Sequence, residues 1–244
     1  MSRFLLKISY DGSLYHGWQV QPNGITVQEV LCDKLQQITK HEVSVTGCSR
    51  TDAGVHANEF YCHFDSDTDI PEKGYVLGLN AILPKDIVIL SCKKVSDDFH
   101  ARYSAKAKQY VYRFYDGDIR NPFMRMYTYK TDVKLNIERI NLFCKAIMGT
   151  HDFSGFSSSK RTVADTVRTI KECYCERNGD VVTLTVTADG FLYNMVRIIA
   201  GTALDVSCGR IKISDIDMVV NSKERSLAGA TLPPEGLFLN RVIY

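Results

Sequence analysis

The chain has 244 residues, 45% of them hydrophobic and 24% charged, with a formal net charge of +2. That length serves one large domain or two small ones, and the apolar share supports a packed core and excludes global disorder. Near-neutrality excludes a uniformly basic coat, so any anion-binding surface must come from local clusters of Lys and Arg.

Phe4–Tyr10 (FLLKISY) reads as a strand, and residues 11–24 as a turn-rich loop. Thr26-Val-Gln-Glu29 is a capping box, and Val27, Val30, Leu31, Leu35 and Ile38 share one face of the helix behind it. His41–Val45 and Glu59–Phe64 are expected as strands on either side of GCSRTDAGVHA, residues 47–57. A helix over 71–83 is stopped by Pro84, and a strand follows over 87–95. Lys108–Tyr115 alternates polar and aromatic residues, as a half-buried strand does. Asn136–Met148 has helical spacing, and 149–165 reads as a long polar loop. Two strands, 167–176 and 181–188, flank Asn178-Gly179, a hairpin signal. Residues 191–206 are apolar and helical, 214–220 form a short helix, and 237–243 a last strand.

Strands interrupted by helices in no strict βαβ order predict an α+β fold with a largely antiparallel sheet. Both halves run strand, helix, strands, with a boundary expected at 100–107 or 116–132. The reading adopted is an N-terminal half, 1–104, and a C-terminal half, 105–244, acting as one catalytic unit.

The N-terminal MSRFLLKISYDG is too short in apolar run for a signal peptide, and no run approaches the ~18 apolar residues of a membrane span, so a cytoplasmic protein is expected. The eight cysteines form no C-x-x-C pair and read as small buried hydrophobes, with no metal site.

Asp65-Ser-Asp-Thr-Asp69 lacks the Gly and Glu of a calcium loop and the Thr or Val of a D-x-D-x-T phosphotransferase motif, and reads as an acidic turn. A glycosidase pair of Asp52 and Glu59 has nothing to fix its geometry. Basic residues cluster beside aromatics. Arg102, Lys106 and Lys108 lie near Tyr103 and Tyr110, Lys160 and Arg161 sit in a Ser-rich loop, and Arg120, Arg125 and Lys130 flank a Pro-aromatic stretch. Such clusters suit contact with folded RNA, phosphates on the cations and bases on the rings.

Five stretches in order resemble the tRNA pseudouridine synthase A family: RFLLKISYDGSLYHGWQ (3–19), RTDAGVHA (50–57), DFHARYSAKAKQYVY (98–112), GTHDFSGF (149–156) and FLYNMVRIIAG (191–201). The resemblance implies two similar halves around a central mixed sheet, and a cofactor-free, metal-free homodimer. It implies isomerisation of uridine to pseudouridine in the tRNA anticodon stem-loop, at positions 38, 39 and 40. By matching, Asp52 is the catalytic carboxylate, as nucleophile or base, Arg197 its ion-pair partner, and Tyr110 the ring that stacks on the target base. Arg50 fills the space a flipped nucleotide leaves, and His56 lies in the same signature as a substrate-binding residue. Ser49 stands where the family commonly has Gly. The rival reading is a non-catalytic RNA-binding or RNA-folding module on the same scaffold.

Overall fold

The computed structural model describes residues 1–158 and 164–244. In chain order the regular elements are β1 (Ser2–Tyr10), α1 (Val27–Thr39), β2 (Thr46–Gly47), β3 (His56–Ser66), α2 (Glu72–Ile82), β4 (Ile87–Val95), β5 (Ala107–Tyr115), β6 (Tyr129–Lys130), α3 (Ile137–Ile147), β7 (Gly149–Asp152), β8 (Val167–Asn178), β9 (Val181–Ala188), α4 (Met195–Ser207), α5 (Ile216–Asn221) and β10 (Leu237–Ile243). The chain divides into two compact units, 1–106 with 238–244, and 107–237. The closing strand thus belongs with the first unit.

In the first unit β1 lies between β4 and β3, antiparallel to both, β2 adds antiparallel to β3, and β10 runs parallel to it. Phe4, Leu6, Ile8 and Tyr10 point to one face of β1 and are buried, the period-2 signature of a sheet with one covered face. Helix α2 covers part of that face, with Tyr75 against Phe4 and Phe64 at ring distances of 4.9 and 5.1 Å. The capping box of α1 forms as expected: Thr26 accepts from the Glu29 N–H, and the Glu29 carboxylate accepts from the Thr26 N–H. Its stripe is Val27, Leu31 and Leu35, fully buried, with Val30 and Ile38 half-buried at the margins.

In the second unit β5, β9 and β8 form an antiparallel run, with β7 on β8 and β6 parallel to β5. Helix α3 is tied to β8 by Asn141, whose side chain both donates to the Cys175 carbonyl and accepts from its N–H. The α+β class and the mixed, largely antiparallel pairing expected from the sequence are found in each unit.

Six local expectations need correction. Residues 41–45 join no ladder; Val43 and Val45 are buried by side-chain packing, and pairing starts only at Thr46. The stretch after α3 is not all loop, because β7 pairs with β8 and Phe153–Phe156 forms a 3-10 turn that buries both phenylalanines. Strand β5 is not half-buried, since Tyr110, Val111 and Tyr112 in succession are all enclosed, so both its faces are covered. Helix α4 starts at Met195, because Asn194 takes a left-handed conformation that breaks the helix there. The hairpin signal marks the right place one residue early: Asn178 pairs with Val181 across Gly179-Asp180. The acidic run likewise begins inside β3, where Asp65 pairs with Arg3 at 2.7 Å.

No described helix is long and apolar enough to cross a membrane.

Candidate active site

Asp52 lies in the connection between β2 and β3. The start of that connection is fixed to β3: the Cys48 N–H donates to the Tyr61 carbonyl at 2.7 Å and the Tyr61 N–H to Cys48 Sγ at 3.4 Å. The Thr51 hydroxyl meets the Tyr10 hydroxyl at 2.8 Å, and the Thr51 carbonyl accepts from the Trp18 N–H at 3.1 Å. The Val55 N–H donates to the Asp52 carbonyl at 3.1 Å, closing a four-residue turn with Gly54 at φ +78° in its third position, where that sign of φ favours glycine. The Gly54 N–H donates to the Tyr15 carbonyl at 3.2 Å. The main chain beside Asp52 is thereby held on several sides, and the residue itself is half-buried.

Most of these holds come from residues 10–18. Gly17 has φ +84°, and a Cβ there would stand 2.4 Å from the Thr51 oxygen, 3.0 Å from the Asp52 carbonyl carbon and 3.2 Å from the Ala53 nitrogen. Glycine is required both for the conformation and for this approach of two backbones. The segment is anchored in turn by Asp86, which accepts from the buried Tyr15 hydroxyl at 2.6 Å, while its carbonyl accepts from the Asp11 N–H at 2.9 Å. Burial and the neighbouring Asp86 carboxylate raise the Tyr15 phenol above its ordinary pKa, so the hydroxyl stays a donor.

In the second unit, Tyr110 stands on β5 opposite Val186 of β9, 6% exposed, with its ring edge-on to Phe191 at 5.0 Å. Three residues beyond Phe191 comes Asn194, and three beyond that Arg197, in the first turn of α4. The Arg197 guanidinium donates through Nε to the Leu232 carbonyl at 2.6 Å and through Nη1 to Asn194 Oδ1 at 3.0 Å. The Leu232 N–H returns a bond to the Arg197 carbonyl at 3.3 Å. The strand-like approach of residues 229–232 to α4 depends on Gly201, where a Cβ would fall 1.9 Å from the Ala230 oxygen. Arg197 is therefore not a surface charge; it is a half-buried guanidinium whose plane is set by two neutral oxygens.

The other expected residues divide. Arg50, Arg102 and Lys106 are exposed and Lys108 is half-buried. The Arg102 guanidinium lies 5.9 Å from the centre of the Tyr103 ring, which is 77% exposed and stacks on His100 at 4.3 Å. Lys160 and Arg161 lie outside the described residues. His56 is 1% exposed; its Nδ1 accepts from the Gly12 N–H at 3.1 Å and its ring stacks on Phe238 at 4.5 Å, which places it within the packing of the loop. Among the described non-glycine residues only Lys40, Asn194 and Lys223 have positive φ, so Ser49 occupies ordinary backbone and brings no left-handed strain. All eight cysteines are free thiols, six of them buried. No cluster of three His, Cys, Asp or Glu suited to a metal occurs among the described residues.

Sequence reasoning did not single out Tyr10, Tyr15, Gly17, Asn194 or the Leu232 carbonyl. The first four fall within quoted stretches, and for Tyr10, Tyr15 and Gly17 glycine beside aromatics before a helix cap was the signal. A carbonyl at position 232 leaves no mark in the sequence.

A family model described as tRNA pseudouridine synthase matches residues 7–104 and 143–244. The chain is 43% identical over 244 residues to tRNA pseudouridine synthase A of Thermoanaerobacter sp. strain X514, covering 100% of both chains. It is 45% identical to the protein of that name from Caldicellulosiruptor saccharolyticus, covering 100% of both, and 44% to that from Bacillus licheniformis, covering 99% of both. Among solved structures, a Cbf5-Nop10-Gar1 complex aligns with TM-score 0.37 and 14% identity, over 97% of this chain and 48% of that chain, too distant a likeness to bear on the fold. The chain belongs to the tRNA pseudouridine synthase family. It is, with that family, an isomerase acting on tRNA.

Proposed function

We propose that this enzyme isomerises uridines of the tRNA anticodon stem-loop, with Asp52 as the catalytic carboxylate. The observation that supports it most is the turn at Asp52–Val55. It presents one half-buried carboxylate on a main chain held by Tyr10, Tyr15 and Trp18, in the stretch where the family resemblance puts the reactive group. In the reaction the C1′–N1 bond breaks and uracil turns. A C1′–C5 bond then forms, the C5 proton leaves to solvent, and N1 gains a proton. Atoms and electrons balance without a redox partner, so no cofactor is required. A carboxylate serves such a step as nucleophile or as base.

The remaining roles follow the family resemblance. Tyr110 stacks on the target base, and its rigid seat against Phe191 suits that task. Arg197 is the ion-pair partner that keeps the carboxylate charged. Arg50 occupies the space left by the flipped nucleotide, while Arg102, Lys106, Lys108, Lys160 and Arg161 meet phosphates. The resemblance makes His56 a substrate-binding residue; its burial against Gly12 and Phe238 favours instead a role in positioning the Asp52 loop. The protein works as a homodimer, one subunit holding the tRNA body while the other does the chemistry.

The test is Asp52→Asn, measured for tRNA affinity and for tritium release from tRNA labelled at uracil C5. Retained affinity with no release is expected, since the amide keeps the shape and loses the charge. Release from the unaltered protein also separates the enzyme from a binding module on the same scaffold. Undiminished release from Asp52→Asn would remove the residue from the chemistry.

A further inference from the structure

We propose that Asn194 is a positioning residue for Arg197, and that the neutrality of its carboxamide is the property the site uses. The inference rests on the reading of Arg197 as the counter-ion of the catalytic carboxylate. It starts from a local oddity. Asn194 precedes α4 in the position of an N-cap, yet its side chain makes no capping bond, and its backbone is left-handed at φ 62°, ψ 7°. A capping Asn has extended backbone and accepts from an N–H in the first turn, so this residue gives up both the cap and the ordinary conformation.

What the side chain does instead is hold Arg197. Guanidinium nitrogens only donate, so the carboxamide must turn its oxygen to Nη1, at 3.0 Å. That leaves its Nδ2 to donate, which it does to Ser158 Oγ at 2.9 Å. Ser158 is itself tied back to the preceding segment, its N–H donating to the Tyr193 carbonyl at 3.3 Å. With Nε fixed on the Leu232 carbonyl, the guanidinium is gripped at two nitrogens by two separately anchored oxygens, which fixes both its place and its plane.

The choice of side chain is the informative part. Glycine would take the left-handed backbone with less strain but offers no oxygen. Aspartate would complement the helix dipole and reach Arg197 from the same backbone. It would also neutralise the guanidinium at short range, leaving less of its charge for the carboxylate of the reaction. Asparagine is the residue that tolerates the conformation, supplies the acceptor and leaves the charge of Arg197 intact.

The experiment compares Asn194→Gly and Asn194→Asp with the unaltered enzyme for tritium-release kcat, KM for tRNA, and thermal midpoint, and repeats Asn194→Gly in an Arg197→Lys background. Loss of a group that orients a reactive residue is expected to lower kcat roughly 10-fold in Asn194→Gly, with KM within about twofold and an equal or higher midpoint. Asn194→Asp is expected to be more stable still and slower still, roughly 100-fold. In the Arg197→Lys background Asn194→Gly should cost no further rate. A purely structural role would make rate follow stability, and here the two run in opposite directions. Unchanged kcat in both variants, a kcat loss matched by a fall in midpoint, or a full further loss in the Arg197→Lys background overturns the inference alone. No release from the unaltered protein overturns it together with the proposed function.

Discussion

Replacing Gly17 by alanine tests whether the segment before α1 positions the reactive loop. The added methyl would lie 2.4 Å from the Thr51 oxygen, against an ordinary carbon–oxygen contact of about 3.3 Å, and its next neighbours are the main chain of Asp52 and Ala53. None of these is the end of a flexible side chain, so relief means moving one backbone segment by close to an ångström. An alanine at φ +84° also carries about 1–2 kcal/mol of conformational strain, and overpacking adds about 1–3. Together these destabilise by ~2–5 kcal/mol, a fall in thermal midpoint on the order of 10 °C for a chain of this size. A displacement of ~1 Å at a reacting group lowers turnover by about 100-fold. The assay is tritium release well below the melting range, with tRNA affinity measured on the same preparation. Gly179→Ala is the control: it has φ +59° but nothing within 4 Å of the added methyl, so it carries the strain and not the contact. It is expected to lower the midpoint by a few degrees and to leave kcat unchanged. Gly17→Ala with kcat within twofold of the unaltered enzyme would refute the bracing argument. So would an equal loss in Gly179→Ala.

Tyr110→Phe keeps the ring against Phe191, so tRNA affinity should hold within about twofold, and full turnover would confine the residue to stacking. Below neutrality the fold should weaken first through His63. Burial chiefly, then the nearby Arg3 and His100, lowers its pKa to about 4, and its Nδ1 accepts the Ala101 N–H at 3.1 Å. The unfolded chain binds that proton from pH 6.5 downward and the folded one only near 4, so up to ~3 kcal/mol is lost across that window; His63→Gln that still melts with the same pH slope would contradict this. Asp116 acts further down. Burial opposes its charge, but Arg177 at 2.6 Å, the Leu135 N–H at 2.9 Å and Lys134 at 3.2 Å outweigh it and hold the carboxylate at about 2. Its contribution is whole above pH ~4 and lost toward 2. Asp116→Asn should lower stability by about 2 kcal/mol at neutral pH, since Arg177 and Lys134 keep part of their hydration, read by urea unfolding; a change below about 0.5 kcal/mol would mean that the pair adds nothing. Binding of tRNA should weaken steeply with salt, and light scattering should give twice 27.5 kDa; a salt-independent Kd or a fully active monomer would remove the corresponding claim.

Legibility in the sequence followed how local the cause was. The α1 capping box depends on neighbours in sequence, and the structure reproduces it; the limits expected for β4 and β10 are met as well. Residues 41–45 have the composition of a strand, yet strand pairing is decided by a partner elsewhere in the chain, and none reaches them before Thr46. Asn194 shows the same limit from the other side: helical periodicity ran through it, while its side chain serves Arg197 in the next turn and Ser158, a partner distant in sequence. Of the proposed site, Asp52, Tyr110 and Arg197 were named through the family resemblance, whose motifs contain them. The groups that hold them are glycines, backbone carbonyls and a neutral amide, which the chain also uses everywhere for other ends. That division has a physical reason. An isomerisation that consumes no reagent depends on where its few reactive groups stand, and position is supplied by atoms whose identity carries no chemical signature. The Thr51 oxygen against Gly17 and the Leu232 oxygen against Arg197 are such atoms.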